Sequence, residues 1–160
     1  MDSAPLWNPL QLGSTQLSNR VALAPMTRIS ATEEGLVTEK MISYYEAFAR
    51  GGFALLITEG IYPDTSYSQG YLYQPGLATE EQARSWTGVV DAVHAAGSKI
   101  FAQLMHAGSQ AQGNRFKDGS VAPSAVAPRG EQLDFYRGAG PYRVPAESAG
   151  NRWMKFVRDL

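Results

Sequence analysis

Three short groups of residues concentrate the polar chemistry of this sequence. They are Ala24-Pro25-Met26-Thr27-Arg28, Thr58-Glu59-Gly60, and Gln103 followed by Met105-His106-Ala107-Gly108. Thr27 and Gln103 are neutral groups that both donate and accept hydrogen bonds. Gly60 has no Cβ and lets another group approach the backbone closely. Groups of this kind suit a flat heteroaromatic ligand with alternating donors and acceptors better than a metal ion or an acyl substrate. Each also has a purely structural reading: Thr27 as a cap on its loop, Gln103 as a satisfied interior amide, Gly60 as part of a tight turn. His106 is read as structural, and no residue is assigned a catalytic role.

Competing chemistries lack their signatures. No Gly-x-Gly-x-x-Gly opens a helix after the first apolar run, which disfavours a dinucleotide-binding unit, and no P-loop motif is present. No Gly-x-Ser-x-Gly elbow occurs. The sequence has no cysteine, which removes disulfides, thiolate catalysis and cysteine-based metal sites. His94 and His106 are its two histidines and share no motif, so no metal site is expected. A net charge of −1 provides no field for nucleic acid or acidic membranes. No segment approaches the roughly 18–20 apolar residues of a membrane span, and the N-terminus has no basic stretch followed by an apolar run. A cytoplasmic protein is expected.

The elements that must position these groups follow from the pattern. Leu10-Gln11-Leu12, a Gly13-Ser14 turn and Thr15-Gln16-Leu17 predict a hairpin. Arg20–Met26 reads as a parallel strand buried on both faces. Thr38 is a helix N-cap, followed by Met41, Ile42, Tyr45, Phe48 and Ala49 at helical spacing, with Gly51-Gly52 at the end. Phe53–Ile57 is a second doubly buried strand. Asp64–Gly76 is a polar loop in which Tyr67, Tyr71 and Tyr73 either cover a pocket or are ordinary exposed tyrosines. Thr79 and Gln82 form a capping box for a second helix with the stripe Ala83, Trp86, Val90 and Val93, closed by Gly97. Lys99–Leu104 is a third strand. The glycine- and proline-rich region after Gly108 is an irregular excursion with one short hairpin, and Asn151–Leu160 suits about two helical turns. Tyr44 and Tyr45 are read as helix packing.

Strands separated by whole helices pair in parallel through right-handed crossovers, so the class is α/β. Pattern alone leaves a doubly wound sheet and a (β/α)8 barrel both open. In either, ligands gather at the C-terminal ends of the strands, where all three polar groups fall.

Several of these segments resemble a known family. Asn8-Pro9-Leu10, Asn19 to Arg28, Leu56-Ile57-Thr58-Glu59-Gly60, Gln74-Pro75-Gly76-Leu77, Trp86 with Val93-His94-Ala95-Ala96-Gly97, Gln103 to Gly108, and Ala122-Pro123-Ser124-Ala125 are together similar to the N-terminal part of old yellow enzymes. The resemblance covers about residues 5 to 145, in order, and leaves 146–160 as a divergent tail. It implies a partial (β/α)8 TIM barrel: an N-terminal hairpin plus about three parallel strands and two to three helices, as one domain over 1–160. It further implies FMN at the strand C-termini, NAD(P)H as reductant, and an activated C=C bond of an α,β-unsaturated carbonyl compound as substrate. Pro25 and Met26 would line the isoalloxazine through backbone contacts. Thr27 would hydrogen-bond its carbonyl side, Gly60 would give a backbone contact, and Gln103 would pair with the pyrimidine edge.

A full barrel takes about 200 residues at minimum and usually about 250. The family's substrate-anchoring pair, its tyrosine proton donor and its flavin-binding arginines belong to later strands. A truncated or partial form is therefore expected, with sheet surface left for a second copy or a complementary chain to cover. The alternative is a shortened non-redox relative acting as an isomerase, cyclase or small-molecule binder without flavin.

Overall fold

In the computed structural model, which describes residues 4–148, the expected hairpin forms from Leu10–Leu12 (β1) and Thr15–Leu17 (β2), in antiparallel register. Gly13 turns between them with φ 57°. The next strand is shorter than the apolar run suggests. Only Ala22–Leu23 (β3) pairs, because Pro25 has no N–H to offer a ladder. Leu23 is buried but Ala22 is exposed, so this strand is not covered on both faces.

Helix α1 (Glu39–Arg50) follows the predicted stripe, with Met41, Tyr45 and Ala49 buried and Ile42 and Phe48 packed beside them. Thr38 has the extended backbone of an N-cap, but its hydroxyl donates to Ser30 O at 2.7 Å instead of capping the helix. Gly52, at φ 88°, makes the left-handed exit. Strand β4 (Leu55–Ile61) starts later than expected and runs through Thr58-Glu59-Gly60, so those residues lie within the sheet and not beyond it.

The second helix opens on a complete capping box between Thr79 and Gln82. It comes in two pieces, α2 (Glu80–Ser85) and α3 (Thr87–Ala95), because the Trp86 N–H reaches back three residues to Ala83 O. Its buried positions are Gln82, Trp86, Val89 and Val93. Ala83 is exposed and Val90 half-buried, so the stripe is rotated from the one expected. Burial of Gln82 sets that rotation. Its amide donates to Tyr62 Oη at 2.6 Å and Glu34 O at 2.8 Å, and accepts from the Ala78 and Thr79 N–H groups.

Strand β5 (Lys99–Leu104) completes a parallel sheet ordered β3-β4-β5. One face carries the helices: Leu23, Leu56, Met41, Tyr45, Trp86, Val89 and Val93 form a single core. The other face receives the hairpin, with Leu17 and Leu10 against Ala54, Leu55 and Ile57. Within this sheet β4 is buried at every position but Ile57, which is half-buried. On β5, Phe101 and Leu104 are 44% and 42% exposed. Beyond Gly108 the chain makes an excursion of short turns. A parallel pair, Val121–Ala122 (β6) with Ala146–Glu147 (β7), closes its base, and a single antiparallel bridge joins Glu131 and Pro141. The expected helical turns of Asn151–Leu160 lie outside the described residues. Among the described residues, no helix is long and apolar enough to cross a membrane.

Gly76 shows how tightly the strand-end side of this fold is packed. Its carbonyl accepts from Trp86 Nε1 at 3.0 Å, and a Cβ there would stand 2.5 Å from both Gln82 Oε1 and Tyr62 Cζ. Gly76→Ala should therefore displace the Gln82 amide and lower stability by about 1–3 kcal/mol through overpacking, measurable as a shifted midpoint of urea unfolding with unchanged slope.

Candidate functional site

The site begins with an irregularity in β4. Ile57 pairs with Phe101, but the next pair is Gly60 with Gln103, so β4 holds one residue more than β5 in this interval. Thr58 repairs the interrupted ladder with its side chain, the hydroxyl accepting from the Gln103 N–H at 2.9 Å and donating to Glu59 O at 2.9 Å. Paired residues share a sheet face. The extra residue therefore sets Gly60, and not Glu59, opposite Gln103 on the face that carries Ile57 and Phe101. Glu59 meets α1 instead, where its N–H donates to Tyr45 Oη at 2.9 Å.

Glu59 is the group that sequence reasoning passed over. It is 1% exposed, and its Oε2 accepts from the Arg28 N–H at 2.9 Å, tying the loop after β3 to β4. Its Oε1 is buried without a hydrogen-bond partner. Burial pushes the carboxyl up to about 7, against the opposing pull of the Arg28 N–H, the Arg28 charge, the Ile29 N–H and the Tyr45 hydroxyl. A signal existed: a charged residue inside an apolar strand sequence is rarely fully buried unless paired.

Around this carboxyl the expected residues gather. Pro25 and Thr27 are half-buried and Met26 is 44% exposed at the end of β3. Arg28 lays its guanidinium over the Tyr44 ring at 4.6 Å. Tyr71 is 3% exposed, not a surface loop tyrosine. Its hydroxyl lies beside Thr27 without closing a well-formed hydrogen bond, and burial pushes it above its ordinary range. Tyr45 does more than pack, since its hydroxyl receives the Glu59 N–H. Tyr67 is half-buried and Tyr73 is 37% exposed.

Gly60 is not a turn glycine, because it lies inside β4. A Cβ there would stand 2.7 Å from Met105 Sδ, so the close approach it permits in this structure is that of Met105. Its carbonyl accepts from Gln74 Nε2 at 2.9 Å, and Gln74 Oε1 accepts from the Gly70 N–H at 2.7 Å. The fully buried Gln74 thus holds strand and loop together. Gln103 is exposed and not an interior amide. Burial lowers the basicity of His106, partly offset by Asp64, and its Nδ1 accepts from the Gly108 N–H at 3.0 Å.

Thr27, Met26, Gly60 and Gln103 therefore share the strand-end region, with neutral hydrogen-bonding groups exposed or half-exposed. That set fits the edge and face of a planar heterocycle. It does not fit a phosphate, because the only guanidinium in the three strand-end segments is Arg28, which is engaged on Tyr44. A separate cleft of about 400 Å³ lies at the opposite end of β5, between the hairpin tip, His94, Lys99 and Phe101.

Residues 5–147 match the family described as NADH:flavin oxidoreductase / NADH oxidase. A Leishmania infantum protein named as a flavin mononucleotide-dependent alkene reductase is 33% identical over 155 residues, which are 93% of this chain and 42% of that protein. The structure of the old yellow enzyme homologue from Zymomonas mobilis superposes with a TM-score of 0.85 at 33% identity, over 96% of this chain and 42% of that one. Morphinone reductase in complex with tetrahydroNAD superposes at 0.82 and 34%, over 96% and 43%. The chain spans about two fifths of the length of these relatives. Its parallel sheet is thus part of a TIM-barrel wall and not half of a doubly wound sheet.

The raised carboxyl of Glu59 has a signed consequence for stability. An unfolded glutamate ionises near 4.3, whereas Glu59 in the folded chain keeps its proton up to about 7. The native state therefore binds the extra proton between these values, and stability falls as pH rises through that window, by at most about 4 kcal/mol. Glu59→Gln removes this dependence. Urea unfolding at pH 5 and pH 8 should show the variant gaining on the parent by about 1–3 kcal/mol at the higher pH.

Proposed function

This chain belongs to the NADH:flavin oxidoreductase / NADH oxidase family, and we propose that it supplies the ring-binding part of the flavin cradle of an FMN-dependent ene-reductase. The proposed substrate is an α,β-unsaturated carbonyl compound, and the reductant is NAD(P)H. The observation that carries this reading is the register at the bulge, which sets Gln103 opposite Gly60 at the same sheet end that holds Met26 and Thr27.

Bound there, FMN would supply the hydride-carrying chemistry between a nicotinamide and an activated C=C bond. The chain's own residues bind and orient. Pro25 and Met26 offer backbone and an exposed thioether to the ring. The Thr27 hydroxyl donates toward the carbonyl side, where a neutral donor stabilises electron density on the reduced ring. The Gln103 amide offers a donor and an acceptor to the pyrimidine edge. Met105 is seated on Gly60, its Sδ 2.7 Å from where a Cβ would stand. No described residue of the strand ends is assigned the phosphate, and none is assigned proton transfer to substrate. Phe101 and Leu104 on β5 are the exposed apolar surface that a complementary chain or a second copy would cover.

The purified protein should take up FMN with a shifted visible spectrum. Gln103→Leu should weaken uptake about 2- to 13-fold, the value of one hydrogen bond of about 0.5–1.5 kcal/mol. A colourless protein that quenches no added FMN would remove the reading.

A further inference from the structure

The loop after β3 carries Thr27 and Met26, yet it has little packing of its own: Met26 and Arg28 are exposed. Ile29 is also strained. Its φ is 49°, a left-handed conformation that a β-branched side chain rarely accepts. Such a residue persists where its surroundings over-determine it. Three hydrogen bonds do so here. The Arg28 N–H donates to Glu59 Oε2 at 2.9 Å, Ser30 Oγ donates to Arg28 O at 3.0 Å, and Thr38 Oγ1 donates to Ser30 O at 2.7 Å. The first is the one that bears on Thr27. The Arg28 N–H belongs to the peptide plane that also contains the Thr27 carbonyl, so holding it fixes ψ of Thr27 and φ of Arg28 together.

We propose that Glu59 is the positioning residue of this loop: its carboxylate grips the Thr27–Arg28 peptide and so aims Thr27, more firmly when ionised than when protonated. The asymmetry of the carboxyl explains how the grip can change without the contact breaking. Oε2 is occupied by the Arg28 N–H, while Oε1 is buried and without a partner. A proton arriving from solution settles on Oε1. Oε2 then becomes the carbonyl oxygen of an acid, a weaker acceptor than a carboxylate oxygen. The attraction between the carboxylate and the Arg28 cation is lost at the same time.

The other groups facing Glu59 do not compete for this role. Arg28 approaches from the loop, Tyr44 and Tyr45 from α1, and Tyr71 from the segment after β4. Burial raises all three phenols above their ordinary range, so each stays neutral where Glu59 titrates. Glu59 is the group among them that changes charge near neutrality.

The effect on a flavin rests on the function proposed above, but the grip does not, and it is tested without FMN. Amide and methyl NMR spectra of the protein would be followed from about pH 5.5 to about pH 8.5, across the Glu59 value of about 7. The Arg28 amide proton should move downfield with rising pH through a single midpoint, and the Thr27 methyl should follow with the same midpoint. Both should be flat in Glu59→Gln, which keeps an acceptor oxygen in place. A stationary Arg28 amide, a Thr27 methyl that ignores the titration, or movement that persists unchanged in the variant would each overturn the proposal. Failure of FMN to bind would leave these titrations as they are and count against the flavin reading alone.

Discussion

One extra residue in the central strand governs the rest of this structure. A strand alternates its side chains strictly, so a β4 without the bulge would place Glu59 on the same face as Ile57 and opposite Gln103. The insertion changes the parity. The carboxyl meets α1 and the β3 loop, and a glycine comes to stand beside Gln103. Thr58 makes the insertion tolerable, because its hydroxyl accepts the Gln103 N–H that the displaced backbone no longer can. From this one change follow the seat for Met105, the buried contact between strand and loop, and a strand-end surface made of neutral groups.

The same region places charge and polarity where the hydrophobic effect would not. Glu59, Gln74, Gln69 and Gln82 are all buried. All four hold backbone groups of other segments: Glu59 the Arg28 N–H, Gln74 the Gly60 carbonyl and the Gly70 N–H, Gln69 the Arg115 N–H, and Gln82 the Ala78 N–H and the Glu34 carbonyl. Long loops carry backbone groups that cannot all pair with one another, and a buried amide with both a donor and an acceptor suits that task. Glu59 differs because it does its work best in the charged form, which burial disfavours. Stability and loop geometry are therefore opposed at this one residue, a conflict expected where a fold serves a site.

Local chemistry was readable directly from residue types. The Gly13-Ser14 hairpin, the Thr79–Gln82 capping box and the Met41, Tyr45 and Ala49 stripe depend on neighbours within four or so positions. The parallel order of the strands followed from the helices between them. What lay hidden depends on contacts across tens of residues. Nothing near Glu59 in sequence announces Arg28, nor does Tyr71 announce Thr27. The rotated helix stripe was missed for a related reason: a pattern read on hydrophobicity passes over Gln82, a polar residue whose burial is decided by Tyr62 and Glu34. The bulge itself leaves no mark in Ile57-Thr58-Glu59-Gly60, since its signature is a register between two strands.

The parallel pair of β6 and β7 gathers the chain at the base of the excursion, with the Ala146 N–H on Ser120 O and the Ser148 N–H on Ala122 O. The segment from Pro123 to Pro145 starts and ends at that clasp, and it is also tied down by the Leu133 N–H on Gln112 Oε1 and by Arg143 on Asp118. Closing a longer or shorter loop across a fixed base changes the entropy only logarithmically. The clasp fixes only where that segment leaves and rejoins the body; between those points the Tyr136 ring returns to within 5.0 Å of the Tyr71 ring, so a change of length there would be felt at the tyrosine that stands beside Thr27.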